Sequence, residues 1–192
     1  MSSHHIVREK QEPALLILNL DGFDAENLGQ LLEWSPVIIV PLSLYEKLWS
    51  MGIKVDVILV PYGEAPIQLQ EHATMFNAQT NVLDAAFAYL IKEAFPAVNV
   101  IAAEFNPISY RAIAKQLDLV VFAQGWKNFA VKSGFQKWKA AGERVRIHEP
   151  TKISNLKLSG LKALGADEFL TANDGFFSLS FDDDLVFISE EL

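Results

Sequence analysis

The spacing of apolar residues changes after residue 122, and the change divides the chain into two grammars. Before it, short apolar runs alternate with stretches of helical period. Ala14 to Asn19 is a near-continuous apolar run, as in a strand buried on both faces of a parallel sheet. Asp24 then reads as a helix N-cap, with Phe23 and Leu28 placed as a hydrophobic staple and Leu28, Leu31 and Leu32 as the buried stripe. Pro36 stops that helix, and Val37 to Val40 is a second strand. Ser43 and Glu46 have the spacing of a capping box for a helix ending at Gly52, followed by a third strand over Val55 to Leu59. Tyr62 to Gln79 has no clean period and reads as loop with room for one short strand. A helix from Val82 to about Ala94 presents Leu83, Phe87, Leu90 and Ile91 on one face, with Asp84 as its cap. Strand Val98 to Ala102, helix Ile108 to Gln116 and strand Leu119 to Phe122 complete a regular alternation, which predicts right-handed crossovers and a helix-covered parallel sheet.

Beyond residue 122 helical signals fade, apart from a turn or two around Phe135 to Ala141. Short alternating runs take over at Arg144 to His148, Leu156 to Leu158, Phe176 to Phe181 and Leu185 to Ile188, the pattern of antiparallel strands. The predicted fold is therefore α/β, with a parallel sheet carrying helices on both faces over residues 1–123 and a small antiparallel β domain over 124–192, the boundary falling near Gln124-Gly125. The acidic run at 182–184 reads as a solvated hairpin turn between two strands, without the further oxygen ligands of a calcium loop.

Composition narrows the function classes. Asp and Glu outnumber Lys and Arg by 24 to 16 for a net charge of −8, which argues against a nucleic-acid partner, because phosphate affinity rests on Lys and Arg. The chain has no cysteine, so disulfides, thiolate metal sites and a cysteine nucleophile are excluded. No apolar run is long enough to cross a membrane, and the polar start Met1 to Lys10 lacks the core of a signal peptide, so the expected compartment is the cytoplasm. Adjacent His4-His5 on an extended arm would point to opposite sides, and His72 and His148 lack acidic or histidine partners at ligand spacing. No Gly-rich phosphate loop and no nucleophile elbow occurs.

A set of local strings carries more specific information. Leu31-Leu32-Glu33-Trp34-Ser35-Pro36 and Gly52-Ile53-Lys54-Val55-Asp56-Val57-Ile58-Leu59 resemble the first βαβ units of thiamine pyrophosphokinases. The helix Leu83 to Lys92, the strand Val98 to Ile101, Phe135-Gln136-Lys137-Trp138 and Leu161-Lys162-Ala163-Leu164 fall at that family's spacings. The resemblance implies transfer of a diphosphate from ATP to the hydroxyethyl group of thiamine. It also implies magnesium held by carboxylates at the C-terminal ends of strands, where open α/β sheets gather ligands. A thiamine site involving the β domain and a homodimer through that domain are implied as well. Seven phenylalanines (Phe129, Phe135, Phe169, Phe176, Phe177, Phe181 and Phe187) look more than a small β domain can bury alone, which agrees with a dimer.

The acidic motifs of the family are missing here. Its Asp-Gly after the second strand is Leu42-Ser43; its Gly-Asp-x-Asp after the third is Val60-Pro61-Tyr62-Gly63; its Lys-Thr-Asp before the long helix is Thr80-Asn81-Val82. The Gly-Arg segment and Asp-His pair that follow the next strand are replaced by Phe105-Asn106-Pro107-Ile108 and Ser109-Tyr110. In the first strand–helix turn Asn19 persists, but the Gly after it is Leu20. The remaining cleft candidates are Asn19, Asp21, Ser43, Tyr62, Glu64 and Glu104, with Asp21, Glu64 and Glu104 the only acids placed to form a substitute metal site. Trp126, Trp138 and Phe176-Phe177 could stack on a planar ring or serve as core; Trp126 and Asn173, the latter as the nearest match to the family's Ser-x-Asn, are the substrate-binding candidates.

The expectation is a non-catalytic relative of thiamine pyrophosphokinase, with no catalytic residue, no metal site and no cofactor. Its role would be ligand binding or regulation linked to thiamine metabolism, toward a small heterocycle such as thiamine, as a homodimer. The alternatives are an active enzyme using magnesium and ATP through relocated ligands, and an α/β protein-interaction module.

Overall fold

Continuous apolar runs become central strands. β1 (Ala14–Ile17), β2 (Ile38–Pro41), β3 (Val57–Pro61), β4 (Thr74–Ala78) and β5 (Ala97–Ile101) form an all-parallel sheet in the order β5-β1-β2-β3-β4. The computed structural model describes residues 12–64, 68–79 and 81–192; His4-His5 and Thr80 lie outside them. The connecting helices are α1 (Ala25–Leu32), α2 (Leu42–Ser50) and α3 (Val82–Lys92). Strand alternation separates two apolar faces. Leu15, Ile17, Ile38, Val40, Ile58 and Val60 meet Leu28 of α1 and Tyr45 and Leu48 of α2 in one buried cluster. Leu16, Ile39 and Leu59 are buried on the other face, where α3 packs against β3 and β4 and Tyr89 meets Phe76 edge-on at 5.3 Å.

The helix ends follow local chemistry, with two corrections. Asp24 caps α1, its carboxylate accepting from the Asn27 N–H at 3.0 Å. Gly52, at φ +76°, ends α2 in a Schellman arrangement, with Ile53 N–H on Leu48 O and Gly52 N–H on Trp49 O. The Ser43–Glu46 capping box does not form: β2 runs straight into α2, Pro41 is the N-cap with no side-chain bond, and Ser43 already stands inside the first turn. Asp84 does not cap α3 either. Asn81 does, accepting from the Asp84 N–H at 2.9 Å, while its own amide reaches the Asp84 carboxylate. Ile91 of α3 is exposed rather than buried.

The chain makes two compact units, one holding residues up to Ala103 with Gln116–Asp118 and the other Glu104–Lys115 with Leu119–Leu192. Gln124-Gly125, where the sequence places the boundary, is a two-residue hairpin turn with φ +53° and +78°, the geometry of a type I′ turn.

The second unit contains α4 (Pro107–Ala114), β6 (Asp118–Ala123, all but its first residue), β7 (Trp126–Val131), β8 (Phe135–Lys139), β9 (Arg144–Ile147), β10 (Lys157–Ser159), β11 (Leu161–Ala163), β12 (Glu168–Thr171), β13 (Gly175–Ser180) and β14 (Val186–Glu191). Its strands pair antiparallel in two sheets, β11-β12-β9-β14-β7-β6 and β10-β13-β8. Val131, Val145, Ile147, Phe169 and Ile188 of the larger sheet pack with Phe177 and Leu179 of the smaller one. The helical turn expected over Phe135 to Ala141 is strand β8. Phe135 and Trp138 have helix-like spacing, but they lie on opposite faces of a strand paired residue for residue with β13.

The acidic run at 182–184 is not a hairpin, because β13 and β14 belong to different sheets. Each acid ties that crossover down: Asp182 to Asn155, Asp183 to the Ser154 N–H at 2.7 Å, and Asp184 to Lys115 at 2.7 Å. Six of the seven phenylalanines thought to exceed the capacity of this unit are buried or packed on its core, and only Phe176 is exposed.

Candidate functional site

Strand order reverses between β1 and β5, so the ends of these strands form the switch point where parallel sheets bind ligands. The backbone there is already engaged: the N–H groups of Leu18 and Asn19 both donate to Ile101 O, at 2.8 and 3.3 Å. The Asn19 side chain turns back to accept from the Asp21 N–H at 2.5 Å, and Phe23 N–H closes the turn on Leu20 O. Leu20 and Leu42 pack against the apolar cluster beneath. Asp21 is exposed and pairs with Lys47 at 3.2 Å, while Ser43 is exposed in the first turn of α2.

At the end of β3 the chain makes a β-turn, Glu64 N–H to Pro61 O at 3.1 Å, with Gly63 at φ +83° in the third position. The turn throws Tyr62 into solvent, 92% exposed, and leaves Glu64 exposed beside it. Val82 opens α3 half-buried behind its Asn81 cap. Among the described residues no group of three or more His, Asp and Glu is gathered as a cation would need. The donor set around these strand ends does not fit magnesium triphosphate. Two of its positions are leucines half-buried against the apolar cluster, one amide is consumed by its own turn, and the nearest carboxylate already faces a lysine.

The remaining candidates lie in the second unit. Glu104 is exposed and stands near Tyr110, whose phenol is pushed up to about 12, first by burial and then by the Glu104 charge. Trp126 is buried, and the guanidiniums of Arg146 and Arg144 lie over its ring at 4.4 and 5.3 Å. Its π-face is therefore covered within the unit, as cation–π pairing favours. Asn173 is exposed in the turn between β12 and β13, next to a buried Thr171 that bonds Ala140 O and the Glu143 N–H.

Two arrangements in this unit escape the sequence. Arg144 and Arg146, alternate residues of β9, share the Glu168 carboxylate at 2.8 and 2.5 Å, and those bonds hold Glu168 below the usual carboxylate range. His148 Nε2 lies 2.7 Å from Ser189 Oγ, which donates to Asn128 Oδ1 at 2.6 Å; Asn128 Nδ2 in turn donates to Val121 O at 2.8 Å. Because the Ser189 proton goes to Asn128, the His148 proton sits on Nε2. Burial, helped by the Arg146 charge, pushes His148 down to about 4, so it is neutral at neutral pH. Ser189 is fully buried, so this chain of bonds braces three strands and offers no nucleophile to a substrate.

No family model matches the sequence, and no curated protein matches it. Solved structures do. Thiamine pyrophosphokinase from Bacillus subtilis superposes with a TM-score of 0.63 at 12% identity, covering 94% of this chain and 99% of that one. The yeast enzyme gives 0.63 at 10% identity over 96% and 88% of the two chains, and the Candida albicans enzyme 0.59 at 12% over 94% and 90%. The chain has the thiamine pyrophosphokinase fold. Among the described residues, no helix is long and apolar enough to cross a membrane.

Proposed function

We propose that this chain is a non-catalytic protein of the thiamine pyrophosphokinase fold, acting as a ligand-binding or regulatory protein linked to thiamine metabolism. One observation carries the reading. Leu20 and Leu42, at positions where phosphate and magnesium contacts are expected from the family resemblance, are half-buried and pack against the hydrophobic cluster of the parallel unit. A triphosphate placed over them would meet apolar side chains, and among the described residues no cluster of acids is gathered to bring magnesium to it, so its charge would be poorly compensated, at a cost of roughly several kcal/mol. The heterocycle would have to be held elsewhere than on the Trp126 face, which Arg146 occupies. Incubation with ATP, magnesium and thiamine, followed by quantitation of thiamine diphosphate, tests the reading.

The reading includes a homodimer. Phe176 and Trp138 stand directly opposite each other on β13 and β8 and are 68% and 57% exposed, the pair a partner copy would cover. Sedimentation at micromolar concentration is expected to show twice the 21.4 kDa chain mass, reverting to monomer in a Trp138→Ser/Phe176→Ser double variant. A wild-type monomer would remove this part of the reading.

A further inference from the structure

The end of the parallel sheet opposite the strand-end site holds a cavity of about 350 Å³, where β2 and β3 begin and α1 and α2 finish. That is within the size of small-molecule sites, roughly 300–1,000 Å³. Leu32, Pro36, Val37 and Ile53 give it apolar walls, and Lys54 and Asp56 supply its charged groups.

Three features set its polarity. First, Leu32 is the last residue of α1 and Gly52 follows the cap of α2, so two helix C-termini border the space. Helix C-termini carry partial negative charge; the last turn of α1 has no basic residue and its cap residue is Glu33, while the one basic residue in the last turn of α2, Lys47, is paired with Asp21. Second, the Asp56 carboxylate is held in place from within: Oδ2 accepts the Ile38 N–H at 3.0 Å. Third, Oδ1 is met by the Lys54 ammonium at 2.6 Å, but the Lys54 side chain is 65% exposed and that of Asp56 only 21%. A solvent-facing lysine on an anchored carboxylate gains little from the pairing, so another cation can take its place.

We propose that this cavity binds a small organic cation with an apolar body, the ammonium group replacing Lys54 on Asp56 and the body lying against Leu32, Pro36, Val37 and Ile53. The fixed carboxylate and the two helix ends select positive charge, and the apolar walls reject a bare metal ion. The site shares no residue with the strand-end positions, so it stands or falls independently of the catalytic reading.

The test compares three probes of one skeleton by calorimetry at low salt: phenethylammonium, 2-phenylethanol and 3-phenylpropanoate. The cation is expected to bind, and the alcohol and the carboxylate to bind at least about tenfold more weakly. Lys54→Met, a surface change that removes the ammonium's repulsion of a bound cation as well as its weak pairing, is expected to tighten cation binding about fivefold. Asp56→Asn, which keeps an oxygen for the Ile38 N–H, is expected to weaken it about tenfold. Val37→Trp, which fills the space, should abolish it. No binding of the cation, equal binding of the alcohol, or unchanged affinity in Lys54→Met would each overturn the proposal, and the last needs no variant with an altered core.

Discussion

A Gly160→Ala variant is expected to lose about 2–4 kcal/mol of stability, a drop of roughly 5–15 °C in melting temperature. Gly160 joins β10 of the small sheet to β11 of the larger one at φ +73°. A Cβ built there would stand 2.8 Å from Phe176 O and 3.0 Å from Phe177 Cα. Both are backbone atoms that cannot swing aside, and Phe177 is one of the largest fully buried side chains. The variant therefore combines left-handed strain with a backbone clash. Gly142 is the control: its φ is +83°, but nothing lies within 4 Å of its would-be Cβ. Gly142→Ala should cost only the conformational part, about 1 kcal/mol. Equal losses in the two variants, measured by chemical denaturation, would show that the close approach at Gly160 is not present in solution.

Acidification is expected to weaken the fold through His148. The folded protein keeps this imidazole neutral down to about pH 4, whereas the unfolded chain takes up the proton below its ordinary value of 6.5. The unfolded state thus binds more protons between those values. The contribution is complete above pH 6.5 and is lost as the pH falls toward 4. The ring is only partly shielded from solvent, so the loss between pH 7 and pH 5 is set at about 1–2 kcal/mol. His148→Gln, whose amide can still donate to Ser189, removes the titration and keeps the bond. The difference in unfolding free energy between pH 7 and pH 5 should be smaller in the variant by that amount. Identical pH dependence of the two proteins would mean that His148 is not held neutral by the fold.

Much of this architecture is legible in the sequence where the information is local. The Asp24 cap, the Gly52 stop and the buried strands β1, β2, β3 and β5 follow from residues within one turn or one strand of each other, whereas β4, mostly exposed, has no clear pattern of its own. Misreadings arise where a neighbour in space overrides the local pattern. Ser43 and Glu46 have capping-box spacing, but β2 delivers the chain into α2 one residue too early for Ser43 to cap it. Phe135 and Trp138 imitate a helix face until β13 supplies a pairing edge. Strand β7 goes unseen because its turn, Gln124-Gly125, reads as a boundary between domains. The Arg144–Glu168–Arg146 network and the His148–Ser189–Asn128 chain join residues 20 or more positions apart in sequence, beyond the reach of any local pattern. For the strand-end positions the sequence offers only residue types; the structure adds where they go, with Leu20 and Leu42 half-buried against the apolar cluster, Asn19 folded onto its own turn and Tyr62 in solvent.

The most direct test of the account is the diphosphate transfer itself, with the purified full chain, ATP, magnesium and thiamine at saturating concentrations. The account predicts no thiamine diphosphate above the protein-free background. Turnover on the order of 1 per second, within the ordinary range for enzymes, abolished by Glu64→Gln or Glu104→Gln, would contradict it and establish relocated metal ligands.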